Sequence, residues 1–210
     1  MDDPTSRKRR GGHEKKEPAL KKLRDFSQAS GLHDVILNIG GEKFYVSKIH
    51  LAQHSEVLQN LFFGNFKEKN QKEIELKEVD AGNFQKFLEV INGELSINDD
   101  TLEGILIVAD FLRAPTAINR CRHYLIEHNT MSIRDKMRLA EKFHFQDVKK
   151  KIIGGVQSSQ ELISILPYEL NDLDKTTTVL LLRKALDLLA RYPETYTTTH
   201  NNWVFSPTRN

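Results

Sequence analysis

The sequence is poor in several features that mark particular classes of protein. It has a single cysteine, Cys121, which excludes an internal disulfide, and it has no Asn-x-Ser/Thr acceptor for glycosylation. Its longest apolar runs, such as residues 105–109, are much shorter than the roughly 20 residues of a membrane-spanning helix. The charged N-terminus does not resemble a secretory signal. We therefore expect a protein of the cytoplasm, the nucleus or both, with no membrane partner.

The sequence also lacks strong charge of one sign and the short motifs of common catalytic sites. Because 31 basic residues offset 29 acidic ones, the net charge is +2, and we expect no nucleic-acid partner. There is no glycine-rich phosphate loop, Gly-x-Ser-x-Gly elbow or His-Glu-x-x-His helix. His50 with His54, and Cys121 with His123, form pairs without the third and fourth ligands of a zinc site. We predict no enzyme activity, no metal and no cofactor, and we interpret Cys121 as a small buried hydrophobe.

The N-terminal region divides into an arm and a short amphipathic segment. Residues 1–18 are polar and basic, which predicts a disordered arm; its cluster Arg7, Lys8, Arg9 and Arg10 is either a nuclear-import signal or part of a solvated tail. From Pro18 onward apolar residues recur at helical spacing and predict a helix that ends before Gly31. The apolar stripe of this helix consists of Leu20, Leu23 and Phe26. A further apolar residue, Leu32, follows the helix.

A hairpin, two helices and a third strand are predicted next. Residues 34–39 are typical of a buried strand, Gly40-Gly41 of a tight turn, and residues 43–46 of the returning strand. Ser47 and Ser55 are candidate caps of two consecutive helices. After a polar loop over residues 64–72, residues 73–77 alternate between polar and apolar side chains and predict the third strand.

Helices account for most of the remaining chain. Asp80 is a candidate cap, residues 100–103 form a candidate capping box, and Pro115 suits a first helical turn. A further helical extension is predicted over residues 129–191, with its first helix beginning near Ser132. The threonine run and two prolines of residues 192–210 predict an irregular tail.

Several stretches of the sequence resemble the opening of BTB/POZ domains, and the resemblance covers about residues 20–128. The stretches are Asp34-Val35-Ile36-Leu37, residues 41–48, residues 51–55, Leu61-Phe62-Phe63 and Glu73-Ile74-Glu75-Leu76. The sequence looks particularly similar to nematode BTB domains, including those joined to MATH domains, although no MATH domain is expected before Leu20. Ser47 replaces the family's usual histidine. The resemblance implies an α+β fold, a small sheet clustered with helical hairpins over residues 19–128, followed by the helical extension.

The resemblance also implies binding to the cullin-3 scaffold of a ubiquitin ligase. BTB domains that bind cullin-3 carry a hydrophobic residue, any residue and a glutamate before the third strand, and Phe66-Lys67-Glu68 fits this pattern. Together with Phe63, Phe66 and Glu68 form the predicted cullin-binding site. The alternative is that Phe66 folds back onto Phe62 or Phe63. Residues 131–156 resemble the helical pair that enlarges the cullin surface in such adaptors.

The resemblance further implies a homodimer, in which Leu20, Leu23, Phe26 and Leu32 pack across a two-fold axis. These residues are equally compatible with packing on their own subunit. The predicted function is that of a non-enzymatic, dimeric adaptor that brings an unknown protein substrate to cullin-3. Two alternatives remain open, a nuclear scaffold or transcriptional co-regulator without cullin binding, and an assembly domain of the potassium-channel tetramerisation type.

Overall fold

A computed structural model describes residues 24–65, 67–128, 130–167 and 173–191, and for Glu68 the backbone alone. The predicted arm over residues 1–18, Leu20, Leu23 and the predicted tail over residues 192–210 lie outside these ranges. Within the described ranges, no helix is both long enough and apolar enough to span a membrane.

Three strands form a small mixed sheet in the order β2-β1-β3. The strands are β1 (Val35–Ile39), β2 (Glu42–Val46) and β3 (Glu73–Glu75). β1 and β2 are antiparallel and are joined by Gly40 and Gly41, whose φ values of +60° and +90° suit the mirror-image turn of a two-residue hairpin. β3 returns parallel to β1 on its other side. The predicted hairpin and third strand are thus confirmed.

Nine α-helices and one 3₁₀ helix occupy most of the rest of the described chain. They are α1 (Lys48–His54), α2 (Glu56–Phe63), the 3₁₀ helix (Lys67–Asn70), α3 (Ala81–Ile91), α4 (Leu102–Phe111), α5 (Pro115–Glu127), α6 (Ile133–Lys142), α7 (Gln146–Gly155), α8 (Ser159–Ser164) and α9 (Lys175–Arg191). The predicted α+β class and the C-terminal helical extension are confirmed.

Side-chain caps begin several helices where the sequence predicts them. Ser55 Oγ accepts a hydrogen bond from the Leu58 N–H at 3.0 Å and donates one to the Leu112 carbonyl at 2.6 Å, so it links the start of α2 to the end of α4. The Asp80 side chain accepts the Asn83 N–H at the start of α3, and the Ser132 side chain accepts the Asp135 N–H at the start of α6. These hydroxyl and carboxylate oxygens satisfy N–H groups that have no partner within the first helical turn.

Three local predictions are wrong. Residues 24–31 form turns instead of helix. The Ser47 side chain makes no cap, and the first N–H of α1, that of Lys48, donates to Asp34 Oδ1 at 2.7 Å. The capping box at residues 100–103 does not form, because Asn98 Oδ1 accepts the N–H groups that precede α4.

Two cores stabilise the chain, and α6 and α7 contribute to both. The larger core joins the sheet, α1–α5 and one side of the α6–α7 pair, and it includes buried rings such as Phe62, Phe84 and Phe87. The smaller core lies among α6–α9 and is formed by Met137, Ile153, Val156, Ile165, Leu181 and Leu188. The α6–α7 pair therefore connects the N-terminal unit to α8 and α9.

Candidate functional site

The C-terminal end of α2 presents an aromatic ring to solvent. Phe62 is buried in the larger core, whereas the neighbouring Phe63 is 50% exposed. Their ring centroids are 6.5 Å apart in an edge-to-face arrangement. The Phe62 ring packs against Phe63 on the side of the core. The exposed part of the Phe63 side chain is available for an apolar contact with a partner.

The connection between α2 and β3 is fastened to the start of α1 by Lys48. Its ammonium group donates to the carbonyls of Lys69, at 2.8 Å, and Gln71, at 3.4 Å, and lies 5.9 Å from the centroid of the Phe62 ring. The sequence-based prediction missed this contact, since nothing in a single lysine indicates which distant carbonyls it will meet. Lys48 thereby limits the positions that the 3₁₀ helix can take relative to α2.

The predicted cullin-binding residues are only partly within the described part of the chain. Phe63 is described and exposed, whereas Phe66 and the side chain of Glu68 lie outside the described residues. The binding role of all three residues stays a prediction.

A groove of about 380 Å³ lies between α5, α6 and α7. Its lining is mostly apolar and consists of Leu125, Ile126, Met131, Ile133, Lys136, Val148, Lys151, Ile152 and Gly155. The Lys151 ammonium group is held by the Ile126 carbonyl at 3.3 Å and the Glu127 carboxylate at 3.4 Å. The Lys136 ammonium group donates to the His128 carbonyl, so both lysines of the lining have partners within the chain and the groove offers mainly apolar contacts.

Ion pairs fix the extension to the N-terminal unit next to this groove. Arg138 donates to both oxygens of the Glu103 carboxylate, at 3.0 and 2.8 Å, and Lys142 donates to the same group at 2.8 Å. These hydrogen bonds, first from Arg138 and then from Lys142, lower the pKa of Glu103 to about 2. α4 and α6 are therefore joined by a bidentate contact between charged groups, which restricts the orientation of α6 relative to α4.

The sequence model of the BTB/POZ domain matches residues 23–129. The chain belongs to the BTB/POZ domain family. The matched region contains the sheet, α1–α5 and the exposed ring of Phe63. The chain is accordingly a BTB protein-interaction module. The predicted boundaries at residues 18, 128 and 191 stay predictions.

The chain is similar to BTB proteins that carry other domains. It is 39% identical over 137 residues to BTB and MATH domain-containing protein 15 of Caenorhabditis elegans, an alignment that covers 65% of the chain and 50% of that protein. BTB and MATH domain-containing protein 45 of the same organism is 33% identical over 140 residues, with coverages of 65% and 30%. The chain thus spans half or less of the length of these relatives.

More distant similarities extend to a human protein and to a solved structure. Kelch repeat and BTB domain-containing protein 2 of Homo sapiens is 29% identical over 133 residues, which are 62% of the chain and 21% of that protein. The solved BTB domain of human gigaxonin is 24% identical and superposes with a TM-score of 0.39, over 44% of the chain and 77% of the gigaxonin domain.

The N-terminal part of the BTB domain also exposes individual apolar side chains to solvent. Among the predicted dimerisation residues, Phe26 is buried in its own subunit and Leu32 is 76% exposed. The Phe26 carbonyl accepts a hydrogen bond from Tyr45 at 2.8 Å, which holds the segment on β2. Ile49 of α1, which the sequence-based prediction missed, is 61% exposed. Of the predicted set, Leu32 is therefore the described residue whose side chain is free to contact a partner.

Burial shifts the pKa values of the two paired histidines and of the cysteine in the BTB domain. The rings of His50 and His54 lie 4.8 Å apart, and burial, followed by the charge of His54, lowers the pKa of His50. Burial raises the pKa of Cys121 to about 12, so its thiol stays protonated. Within the described ranges, no group of three or more candidate ligands that could hold a metal ion occurs.

Proposed function

We propose that the chain is a dimeric adaptor that binds the cullin-3 scaffold of a ubiquitin ligase and brings a protein substrate to it. The observation that carries this proposal is the half-exposed ring of Phe63, at the point where α2 enters the connection that contains Phe66 and Glu68. Full burial of such an apolar side chain on a partner contributes about 1.5 to 3 kcal/mol. Phe63 is thus suited to anchor the contact, with Phe66 and Glu68 adding area and charge selectivity.

The groove in the helical extension supports a larger cullin surface. It lies between α5 of the BTB domain and the α6–α7 pair, which belongs to residues 131–156, the segment that resembles the helical pair of cullin adaptors. The Glu103–Arg138 contact fixes α6 on α4, so the groove and the BTB domain keep a defined relation. A partner that binds both the region of Phe63 and the groove does not have to fix the orientation of α6 relative to α4 on binding. The entropy cost of binding is therefore smaller.

The exposed side chains of Leu32 and Ile49 support the dimeric part of the proposal. Both side chains are more than half exposed. A symmetric contact brings the same surface of two subunits face to face, and a contact that includes these side chains removes them from water. Two ligase arms and two substrate sites in one particle then increase the effective concentration of each contact.

Binding of the purified chain to the N-terminal domain of cullin-3, measured by calorimetry, tests the proposal. We expect Phe63→Ala to weaken binding at least about tenfold, since loss of a central aromatic anchor typically costs 2 kcal/mol or more. The matched control is Phe111→Ala, because Phe111 is a similarly exposed ring at the end of α4. Phe111 lies near the start of α2, where the Glu56 N–H donates to the Arg113 carbonyl, whereas Phe63 lies at the end of α2.

The double variant Phe66→Ala/Glu68→Ala tests the motif itself and is expected to reduce binding at least as strongly as Phe63→Ala. Unchanged affinity in both variants would remove the proposed site. No binding by the unmodified chain would remove the cullin-3 proposal altogether. The BTB domain would then act as a scaffold, and loss of nuclear signal on deletion of Arg7–Arg10 would favour the nuclear alternative.

A further inference from the structure

The outer face of α9 carries an exposed apolar stripe. Its residues are Val179, Leu182, Leu186 and Leu189, each at least 40% exposed. The spacing of three, four and three positions places all four on one side of the helix. The opposite side carries Leu181 and Leu188, which are buried in the smaller core. In the described part of the chain the stripe faces solvent, which is unfavourable for a row of leucines.

The size of the stripe favours an occupant from the same chain. Stable interfaces between proteins use roughly 20 to 30 residues on each side, and four side chains on one helix are far fewer. A segment tethered to the helix needs less contact area, because a short flexible linker gives an effective concentration in the millimolar range. The stripe is thus too small to hold a second copy by itself, but it is large enough for a tethered segment.

The sequence that follows α9 contains a segment of matching chemistry. α9 ends at Arg191, and Trp203-Val204-Phe205 are three consecutive large apolar residues a short distance further on. The 11 residues from 192 to 202 are mostly polar and span up to about 36 Å when extended. The helix rises only about 14 Å from Leu182 to Arg191. The linker is therefore long enough to bring the aromatic segment back to the middle of the stripe.

We propose that Trp203-Val204-Phe205 folds back and docks on the exposed stripe of its own α9. The docked segment covers Leu182 and Leu186 and shields the indole of Trp203 from water. This contact is separate from the surface proposed for cullin-3, which lies on α2 and in the groove of α5–α7.

Tryptophan fluorescence tests the docking directly, because Trp203 is the single tryptophan of the chain. In the full chain we expect emission at shorter wavelength, and several-fold weaker quenching by acrylamide, than in the urea-unfolded chain. Leu182→Ser/Leu186→Ser is expected to shift the emission to that of the unfolded chain. Val204→Ser/Phe205→Ser is expected to do the same without altering α9. The control Leu95→Ser changes a fully exposed leucine between α3 and α4 and is expected to leave the emission unchanged.

Three results would overturn the proposal. The first is solvent-exposed Trp203 in the unmodified chain. The second is protected Trp203 that responds to neither double variant, which would place the segment elsewhere. The third is protection that disappears on dilution, which would identify a second copy as the occupant. Circular dichroism of Leu182→Ser/Leu186→Ser checks that α9 remains folded, and the tail variant gives an independent result if it does not.

Discussion

Arg138 and Glu103 face each other across the joint between α6 and α4, and their two hydrogen bonds, at 3.0 and 2.8 Å, have the parallel geometry of a guanidinium–carboxylate pair. The carboxylate also accepts from Lys142. One acidic side chain of the BTB domain thus receives two cations from the helical extension.

Glu103→Gln is expected to lower the free energy of unfolding by about 1 kcal/mol at pH 7, a modest value because the group is one-third exposed. The pKa of Glu103 is lowered from 4.5 to about 2. Its contribution is therefore full above pH 4.5 and is lost as the pH falls towards 2. Urea denaturation at pH 7 and pH 3 measures this. If Glu103→Gln lowers the free energy of unfolding by the same amount at pH 7 and at pH 3, the predicted pH dependence is contradicted. Glu56→Gln, whose pair with Arg113 is more exposed, is the control.

Lys149→Met is expected to destabilise the extension by about 3 kcal/mol, because it leaves two acidic groups without their buried cation. The fully buried ammonium group of Lys149 pairs with Glu141 of α6 and with Asp174, which caps α9. Hydrogen bonds from Lys149 and then Thr177 hold the pKa of Asp174 well below its usual range. Urea denaturation measures the loss. Lys150→Met, at the exposed neighbouring position, is the control, and equal stability of the two variants would refute the role of Lys149.

Ile49→Asp is expected to convert the proposed dimer into a monomer, since it places a charge in a contact that removes apolar side chains from water. Light scattering at several protein concentrations measures the mass. Leu95→Asp adds the same charge at a fully exposed position and is expected to leave the dimer intact. A monomeric parent chain, or a dimeric Ile49→Asp variant, would contradict the predicted contact.

Cys121 is expected to resist thiol reagents in the folded chain, because it is buried and its pKa is raised to about 12. The thiolate, which is the reactive form, is then scarce at neutral pH. A colorimetric disulfide reagent is expected to modify the thiol only after urea unfolds the protein. Rapid modification under native conditions would show that α5 opens locally far more often than its burial implies.

Local sequence patterns predicted the elements well where a single short-range interaction decides the structure. The turn at Gly40-Gly41 and the caps at Ser55, Asp80 and Ser132 depend on residues within a few positions of one another. The family resemblance then supplied the arrangement of these elements, which periodicity alone does not define.

Two of the failed predictions involve acceptors that the sequence patterns did not indicate, one of them distant in sequence and one of them only two positions away. Asp34 Oδ1 accepts the first N–H of α1, that of Lys48, and Asn98 Oδ1 accepts the N–H groups of Asp100 and Thr101 before α4. Glu103 turns instead to Arg138, 35 positions away. The groove and the Lys48 contact likewise arise from tertiary packing, so they could not be read from periodicity. Phe63 was named from the family resemblance alone; the structure places its side chain half-exposed at the end of α2, and its binding role stays a prediction.

The sheet has a consequence for synthesis on the ribosome. β1 is its central strand, and its parallel partner β3 begins only at Glu73, after both helices of the first helical pair. The nascent hairpin therefore emerges with one edge of Val35–Ile39 unpaired, and closing the long loop to β3 costs entropy. We expect the newly made chain to depend most on chaperones during this interval, when one edge of its most apolar strand is still unpaired.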